Sequence, residues 1–564
     1  MKSSDTPLDS PPLNQRTLAI VEVLFILMIF FLLAGSAVPD VNEAHYLTKA
    51  KHYWNPDWCS GDHFLESRDA HLVFTWLFGW LTLFMPLTVV AWAGRILTWL
   101  LLAWSWRQLS FSLIPRPLFS ILSAAMFLLL LERCHLAGEW VVGGVEAKGF
   151  AFVCVFFALE SFTKDHWARA WLLLGAATFF HVLVGGWSLV AACVVWVASG
   201  RWRPTFVGTS FCAACAVVIA LPNLIAALSL NWDVDAATIR NANGIYVYQR
   251  LAHHLSPHTF APSVLNIPEF LAGGPGYVTV LPSVAIFRHV GLLIVWSVLW
   301  FFVRNEPRQE RVQAFVVGAV VIALVGAIVD AVTISFPETG AALLRYYWFR
   351  LSDVMLPLGV VFGGLVLMLK LESKWPVAVA WSHISVVLVT VIGLGAIINQ
   401  RIQDPLSKAD RQAISSVTFE EQQIRQLAEH WRRACQWVEE NTDTDERFLT
   451  PHAQQTFKWY AGRSEVVTWK DVPQDARAVV EWWSRYRDVY PPSVQRFGLA
   501  AHSDELLRQL ATRYGAKYII VDRTRYHRVL GFPRLYPNQI EENSSYEVYR
   551  LPPADSMPRN LNTE

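Results

Sequence analysis

The sequence predicts an α-helical polytopic membrane protein of about eleven spans, followed by a small C-terminal α/β domain. Three observations predict it. The 564-residue chain is 54% hydrophobic and holds 26 Trp and 33 Phe, a composition typical of membrane proteins. Apolar runs of bilayer-crossing length recur from residue 17 to about 400. About half of all Asp, Glu, Lys and Arg lie after residue 400, where helix and strand signals alternate. A net charge of +1 gives no basis for nucleic-acid binding. Seven cysteines are too few for a disulfide scaffold, although Cys59, Cys134 and Cys435 could face one aqueous side.

Residues 1–16 read as an N-terminal tail, 17–400 as the membrane body and 401–564 as the soluble domain. The spans fall near 17–38, 88–106, 117–132, 148–163, 167–183, 186–199, 205–228, 281–303, 312–334, 354–371 and 376–398. The first has no small-residue cleavage site after it and reads as an anchor. The fifth and sixth are short and flank Gly185-Gly186, which leaves a re-entrant pair open. The apolar stretch 71–84 is too short for a comfortable crossing and is followed by Pro86, so it is placed along the interface. Basic loops from Arg16 through Arg107, Lys164, Arg201 and Arg304 to Lys370 then share one side, which the positive-inside rule makes cytoplasmic. The opposite side collects the outer loops 39–87 and 229–280, two shorter loops near 133–147 and 335–353, and the C-terminal domain. The expected setting is a cell (inner) membrane, with the N-terminus cytoplasmic and the C-terminal domain periplasmic or lumenal.

The chemistry-bearing residues gather on that outer side. Pro39 suits the first turn of a helix that would carry Asp40 and Glu43 on one face, with His45 just after. Two carboxylates at a membrane exit can deprotonate an acceptor or hold a divalent ion; the plainer alternative is a polar end to the span. Asp62 and His63 follow in a loop dense in titratable groups and suit a site or a solvated connector. Glu146 and Lys148 sit at a membrane boundary, where ionisable groups face a cavity or each other. In the long loop, Arg240 and Tyr246 belong to a mix of aromatics and polar donors that suits carbohydrate or a lipid head group. Its three histidines match no strong metal spacing. The last outer loop carries Arg345, Tyr346, Arg350 and Asp353. Guanidinium groups there suit phosphate, and membrane anchoring is the alternative.

The C-terminal domain should hold helices at 419–441, 474–490 and 503–514, and strands at 447–451, 465–469, 517–522 and 546–551. It has no Gly-rich phosphate loop and no nucleophile elbow. The segment Trp469–Pro473 and the pair Trp482-Trp483 read as acceptor-facing or as support.

The first span with its following acidic motif, the large outer loop, the interfacial helix and the outward C-terminal domain resemble the GT-C superfamily. These membrane glycosyltransferases use polyprenyl-phosphate sugars and include protein O-mannosyltransferases and the lipid A aminoarabinose transferase. Many members carry adjacent acids, whereas here the acids stand three apart. The resemblance implies an inverting hexosyltransferase with Asp40 as catalytic base and Glu43 as its neighbour. On this reading Arg345, Arg350 and Lys148 hold the donor phosphate. His45, Asp62, His63, Glu146, Arg240, Tyr246, Tyr346 and Asp353 line the substrate pocket. A divalent cation, Mg or Mn, would sit at Asp40 and Glu43 if anywhere. The partners implied are a polyprenyl-phosphate-linked sugar, membrane lipids, and a glycan, lipid or protein acceptor. The alternative is a non-catalytic transporter, lipid-binding protein or scaffold. The chain shows no clear internal repeat, and its charges gather on one face, both unlike a transporter.

Overall fold

The computed structural model describes residues 14–200, 203–260, 282–414 and 419–552. Most of the N-terminal tail, Arg201 and the last third of the long outer loop lie outside the described residues. Each of the eleven apolar segments is helical: Gln15–Ala34, Leu87–Leu113, Phe119–Cys134, Ala147–Thr163, Trp167–Phe180, Val182–Ala198, Phe206–Ser229, Pro282–Val303, Pro307–Val332, Arg350–Glu372 and Pro376–Gln403. Seven are long and apolar enough to cross a membrane. The other four run 14 to 17 residues. The stretch 71–84 forms a short helix, Leu72–Gly79, and a 3-10 turn.

Packing against the helix Arg350–Glu372 organises the body. Trp106 stacks between Phe127 at 4.4 Å and Phe362 at 5.4 Å, within a continuous apolar core. Outer faces stay apolar and uncovered, as on Trp381, Ile384 and Val389, the pattern of a lipid-facing helix. The break between Trp167–Phe180 and Val182–Ala198 falls at His181. Gly185 lies there so close to Thr178 that a Cβ would meet its backbone nitrogen at 2.1 Å.

Ion pairs divide the loops into two ends. At one end Arg107 meets Glu22 at 3.0 Å, Arg116 meets Glu372 at 2.7 Å, Lys370 meets Glu306 at 2.9 Å and Arg311 meets Asp165 at 2.6 Å. These are the loops in which the basic residues were expected to collect. The other end carries residues 36–46, 139–148, 181 and 345–353, and the C-terminal domain docks there.

That domain has a five-stranded sheet in the order β2 (Ser464–Glu465), β1 (Arg447–Leu449), β3 (Tyr518–Asp522), β5 (Tyr546–Arg550), β4 (Arg534–Tyr536). β1 runs parallel to β2 and β3, and β5 antiparallel to β3 and β4. The helix Glu421–Asn441 covers one face around Trp431, and Ala476–Val489 and Asp504–Tyr514 cover the other. The seven cysteines are free thiols, so the disulfide left open among Cys59, Cys134 and Cys435 is not formed.

Candidate functional site

The chain leaves its first span at Ala34 and enters a helix at Glu43. The helix was expected from Pro39. It starts four residues later because the Asp40 N–H donates to Glu43 Oε2 at 2.7 Å, closing a separate turn. Glu43 is fully buried and committed: Arg95 Nε and Nη2 bind its two oxygens at 2.6 and 2.5 Å, and the Val145 N–H donates at 2.8 Å. The bidentate pair with Arg95 makes it a fixing point and not a metal ligand or catalytic partner.

Asp40 is buried beside it. Val41 N–H donates to Oδ1 at 2.7 Å; Gly144 N–H reaches Oδ2 at 3.1 Å and Lys408 Nζ lies at 3.4 Å. Burial pushes its carboxyl upward, but Lys408, Arg95 and the Val41 N–H together hold it below its ordinary value. Asp40 therefore stays ionised. A Cβ on Gly144 would lie 2.7 Å from both Asp40 Cβ and Glu43 Cγ, so only glycine lets the second outer loop lie on the acids.

From these acids a buried run of polar contacts leads to the last outer loop. Asn42 Nδ2 donates to Glu146 at 3.2 Å. Lys148 Nζ stands 3.5 Å from Glu146 and 3.0 Å from Glu139, over the Trp140 ring at 3.4 Å. Glu139 pairs with Arg350 Nε at 2.6 Å, and Arg350 Nη1 reaches His181 Nε2 at 3.3 Å. His181 packs on His71 at 5.1 Å between centroids, and His71 Nε2 meets the Tyr46 hydroxyl at 3.1 Å. His71 is also tied to Asp69, which accepts its N–H at 2.8 Å and lines a cavity of about 390 Å³ with Lys49, Tyr53, Glu66 and Arg68. Burial lifts the Glu146 carboxyl and lowers the His71 imidazole, so His71 is neutral.

The C-terminal domain closes the cluster. His45 Nδ1 lies 3.0 Å from Asp471, whose other oxygen binds the buried Lys458 at 2.5 Å. Lys458 also holds Glu465 at 2.5 Å and Asp62 at 3.4 Å. Burial, followed by the charge of Arg250, lowers the Lys470 ammonium to about 7.

Several predicted pocket residues do other work. Asp62 caps the short helix His63–Glu66 through the Phe64 and Leu65 N–H groups and accepts the Glu465 N–H at 3.1 Å. His63 bonds the Ala478 carbonyl at 3.0 Å. Arg240 forms an exposed pair with Glu338 at 3.3 Å. Arg345 Nη1 donates to Asn243 in the long loop at 2.6 Å. Tyr346 is exposed, while Tyr246 meets the Tyr347 hydroxyl at 3.2 Å. Asp353 accepts the Leu136, Ala137 and Glu139 N–H groups at 2.7, 2.8 and 3.3 Å and shapes the second outer loop. Of the predicted residues, Asp40, Glu146, Lys148 and Arg350 do converge, joined by Asn42 and Tyr46.

Residues not placed in the site from the sequence are Asn42, Tyr46, Arg95, Glu139, His181, Arg250, Lys408 and Lys458. Arg95 carried a legible signal, a lone cation inside an apolar run. For a cation, the donor set at Asp40 does not fit the expected pair, because Glu43 is saturated and Lys148 already fills the space between Glu139 and Glu146. Asp443, Asp445 and Glu446 bring carboxylate oxygens within 4.8 Å of one another on the far domain, and Glu446 is there paired with Lys517 at 3.0 Å.

Residues 429–489 match a family model described as a domain of unknown function, DUF6798; the stretch includes Lys458, Glu465, Lys470 and Asp471. No curated protein matches. Among solved structures, the oligosaccharyltransferase of Archaeoglobus fulgidus in the apo form is 12% identical, with 90% of this chain and 69% of that chain covered and a TM-score of 0.42. The same enzyme with Zn and sulfate gives 13% identity, 90% and 68% coverage and a TM-score of 0.38. A third structure, with an inhibitory peptide and a dolichol-phosphate, gives 12%, 91%, 70% and 0.32. Similarity at this level assigns neither fold nor activity to the chain.

Proposed function

We propose that the protein is an integral membrane glycosyltransferase that moves a sugar from a polyprenyl-phosphate donor to an acceptor at the outer face. The observation that supports it is the run of contacts from Asn42, two residues after Asp40, to Arg350. It joins an ionised acid at the start of the body to a guanidinium at its end, within one polar cluster at a bundle terminus.

In this reading the donor's lipid lies beside the apolar helices and its head group enters the cluster. Asp40 takes the proton of an acceptor hydroxyl as that oxygen attacks the anomeric carbon, inverting it. The bond from the anomeric carbon to the phosphate oxygen breaks, and its electron pair leaves with the lipid phosphate. Arg350 and Lys148 stabilise that charge. Lys148 and Glu146 neutralise each other until the phosphate arrives, and Glu43 with Arg95 holds Asp40 in place. No step is drawn through a divalent cation. The test is to supply membranes containing the protein with labelled polyprenyl-phosphate sugars. Label should pass to a glycan, lipid or protein; no transfer from any such donor contradicts the reading.

A further inference from the structure

Two cations at the seam between the long outer loop and the C-terminal domain have no counter-ion among the described residues. Arg250 is only 4% exposed. Its Nε donates to the Trp469 carbonyl at 2.9 Å, and its guanidinium lies 4.9 Å from the Trp469 ring. Among the described residues it forms no ion pair. Lys470, the next residue along, is half-buried; its carbonyl accepts the Val472 N–H at 2.9 Å, while its ammonium makes neither a hydrogen bond nor an ion pair among the described residues. The two acids whose charge reaches Lys470 are both engaged: Glu146 with Asn42, Trp140 and Lys148, and Asp471 with His45 and Lys458.

A third cation adjoins them. The Arg350 guanidinium, already paired with Glu139 at 2.6 Å, lies 4.1 Å over the Tyr347 ring, which in turn stands 6.4 Å from His254, four residues beyond Arg250. Burial leaves His254 neutral, so it offers no added charge and no relief. Like charges gathered out of water repel strongly and are poorly solvated, unless an anion joins them. The two elements that bring them together are themselves well anchored. The long loop packs Ala242 and Ile245 into the apolar core of the C-terminal domain, so the contact of Arg250 with Trp469, the residue before Lys470, is built in and not incidental.

We propose that Arg250 and Lys470, with Arg350 beside them, form an anion site for a phosphoryl group, half of it supplied by the C-terminal domain. Arg250 presents a planar fork and Lys470 a mobile point charge, the usual pair for phosphate oxygens. Two uncompensated cations match a phosphoryl dianion. The ligand is either free phosphate or the head group of a phosphorylated polyprenyl lipid. In the second case the inference rests on the donor reading above and names a second contact region for that donor. An occupied site ties the soluble domain to the body, so binding and docking reinforce each other.

The test uses the full chain in nanodiscs of zwitterionic lipid. One arm adds inorganic phosphate and the other adds polyprenyl phosphate to the bilayer; thermal melting and equilibrium binding are read for wild type, Arg250→Met, Lys470→Met and the surface control Arg433→Met. Saturable, salt-sensitive binding of at least one probe is expected, weakened about tenfold or more in Arg250→Met and Lys470→Met and unchanged in the control. Without anion, Lys470→Met should melt at or above the wild-type temperature, because it removes a repulsive charge. Binding of phosphate alone assigns a free ligand, and binding of the lipid alone assigns a head group. Failure of both probes, unchanged affinity in both variants, or a lowered anion-free melting temperature for Lys470→Met would overturn the proposal. None of these readouts needs sugar transfer, so they are separate from any failure of the transferase reading.

Discussion

Arg95 grips Glu43 through two parallel contacts of 2.6 and 2.5 Å, with both side chains completely buried. The pair joins the first outer loop to the second span, and Arg95 also donates to the Ser36 carbonyl at 2.6 Å. It therefore sets the position from which Asp40 meets Gly144.

Glu43→Gln should behave as a folding defect. It leaves Arg95 buried without its charge partner, which costs about 3–5 kcal/mol. The melting temperature in detergent should fall sharply, and the double substitution Glu43→Met, Arg95→Met should recover part of the loss. Equal melting of Glu43→Gln and wild type would show that the pair is not holding the loop.

Lys458 faces Asp62, Glu465 and Asp471, all of them buried. Lys458→Met would strand three acids together, and Glu465, already raised by burial, would take up a proton. The expected result is release of the C-terminal domain from the first outer loop, seen as faster hydrogen exchange over residues 59–66 and 464–472 while the spans stay protected. Unchanged exchange in both segments would contradict this.

Lys470 gives the anion site a pH dependence. Arg250 and Lys148 disfavour its charge, while Glu146 and Asp471 favour it, and burial is the largest influence. With its ammonium lowered to about 7, it is charged below that pH and neutral above it. The advantage in phosphate affinity of wild type over Lys470→Met should therefore fall as pH rises through 7, and Lys470→Arg should keep that advantage to higher pH. The sign for the empty protein is opposite. Between pH 7 and the ordinary lysine range the unfolded chain binds the extra proton, so stability contributed by this group rises with pH. An affinity ratio between wild type and Lys470→Met that stays flat from pH 6 to 9 would remove Lys470 from the site.

Much of the architecture was legible in the sequence. Apolar runs marked all eleven helices, seven of them long enough to cross a bilayer, because the pattern that buries a helix in lipid is written locally. In the C-terminal domain, period and turn signals marked three helices and four strands. β4, three residues on the sheet edge, carries too little pattern to be seen. The site was legible only where its residues cluster in sequence. Asp40, Glu146, Lys148 and Arg350 stood out as charges at span ends. The contacts that decide their roles did not, since His45 meets Asp471 across 426 residues and Asn42 meets Glu146 across 104. Glu43 looked like a reactive neighbour because its partner, Arg95, lay hidden in an apolar run. Asp62, His63 and Asp353 looked reactive because titratable side chains that cap helices and pin loops read the same in one dimension.

The most direct measurement is the rate of label transfer from a polyprenyl-phosphate sugar by wild type, Asp40→Asn and Arg350→Met, with donor binding measured on the same samples. Asp40→Asn should bind donor normally, melt near the wild-type temperature and lose at least about a hundredfold in turnover, the scale of a missing general base. Arg350→Met should lose donor affinity as well as rate. Wild-type turnover by a folded Asp40→Asn protein would contradict the account.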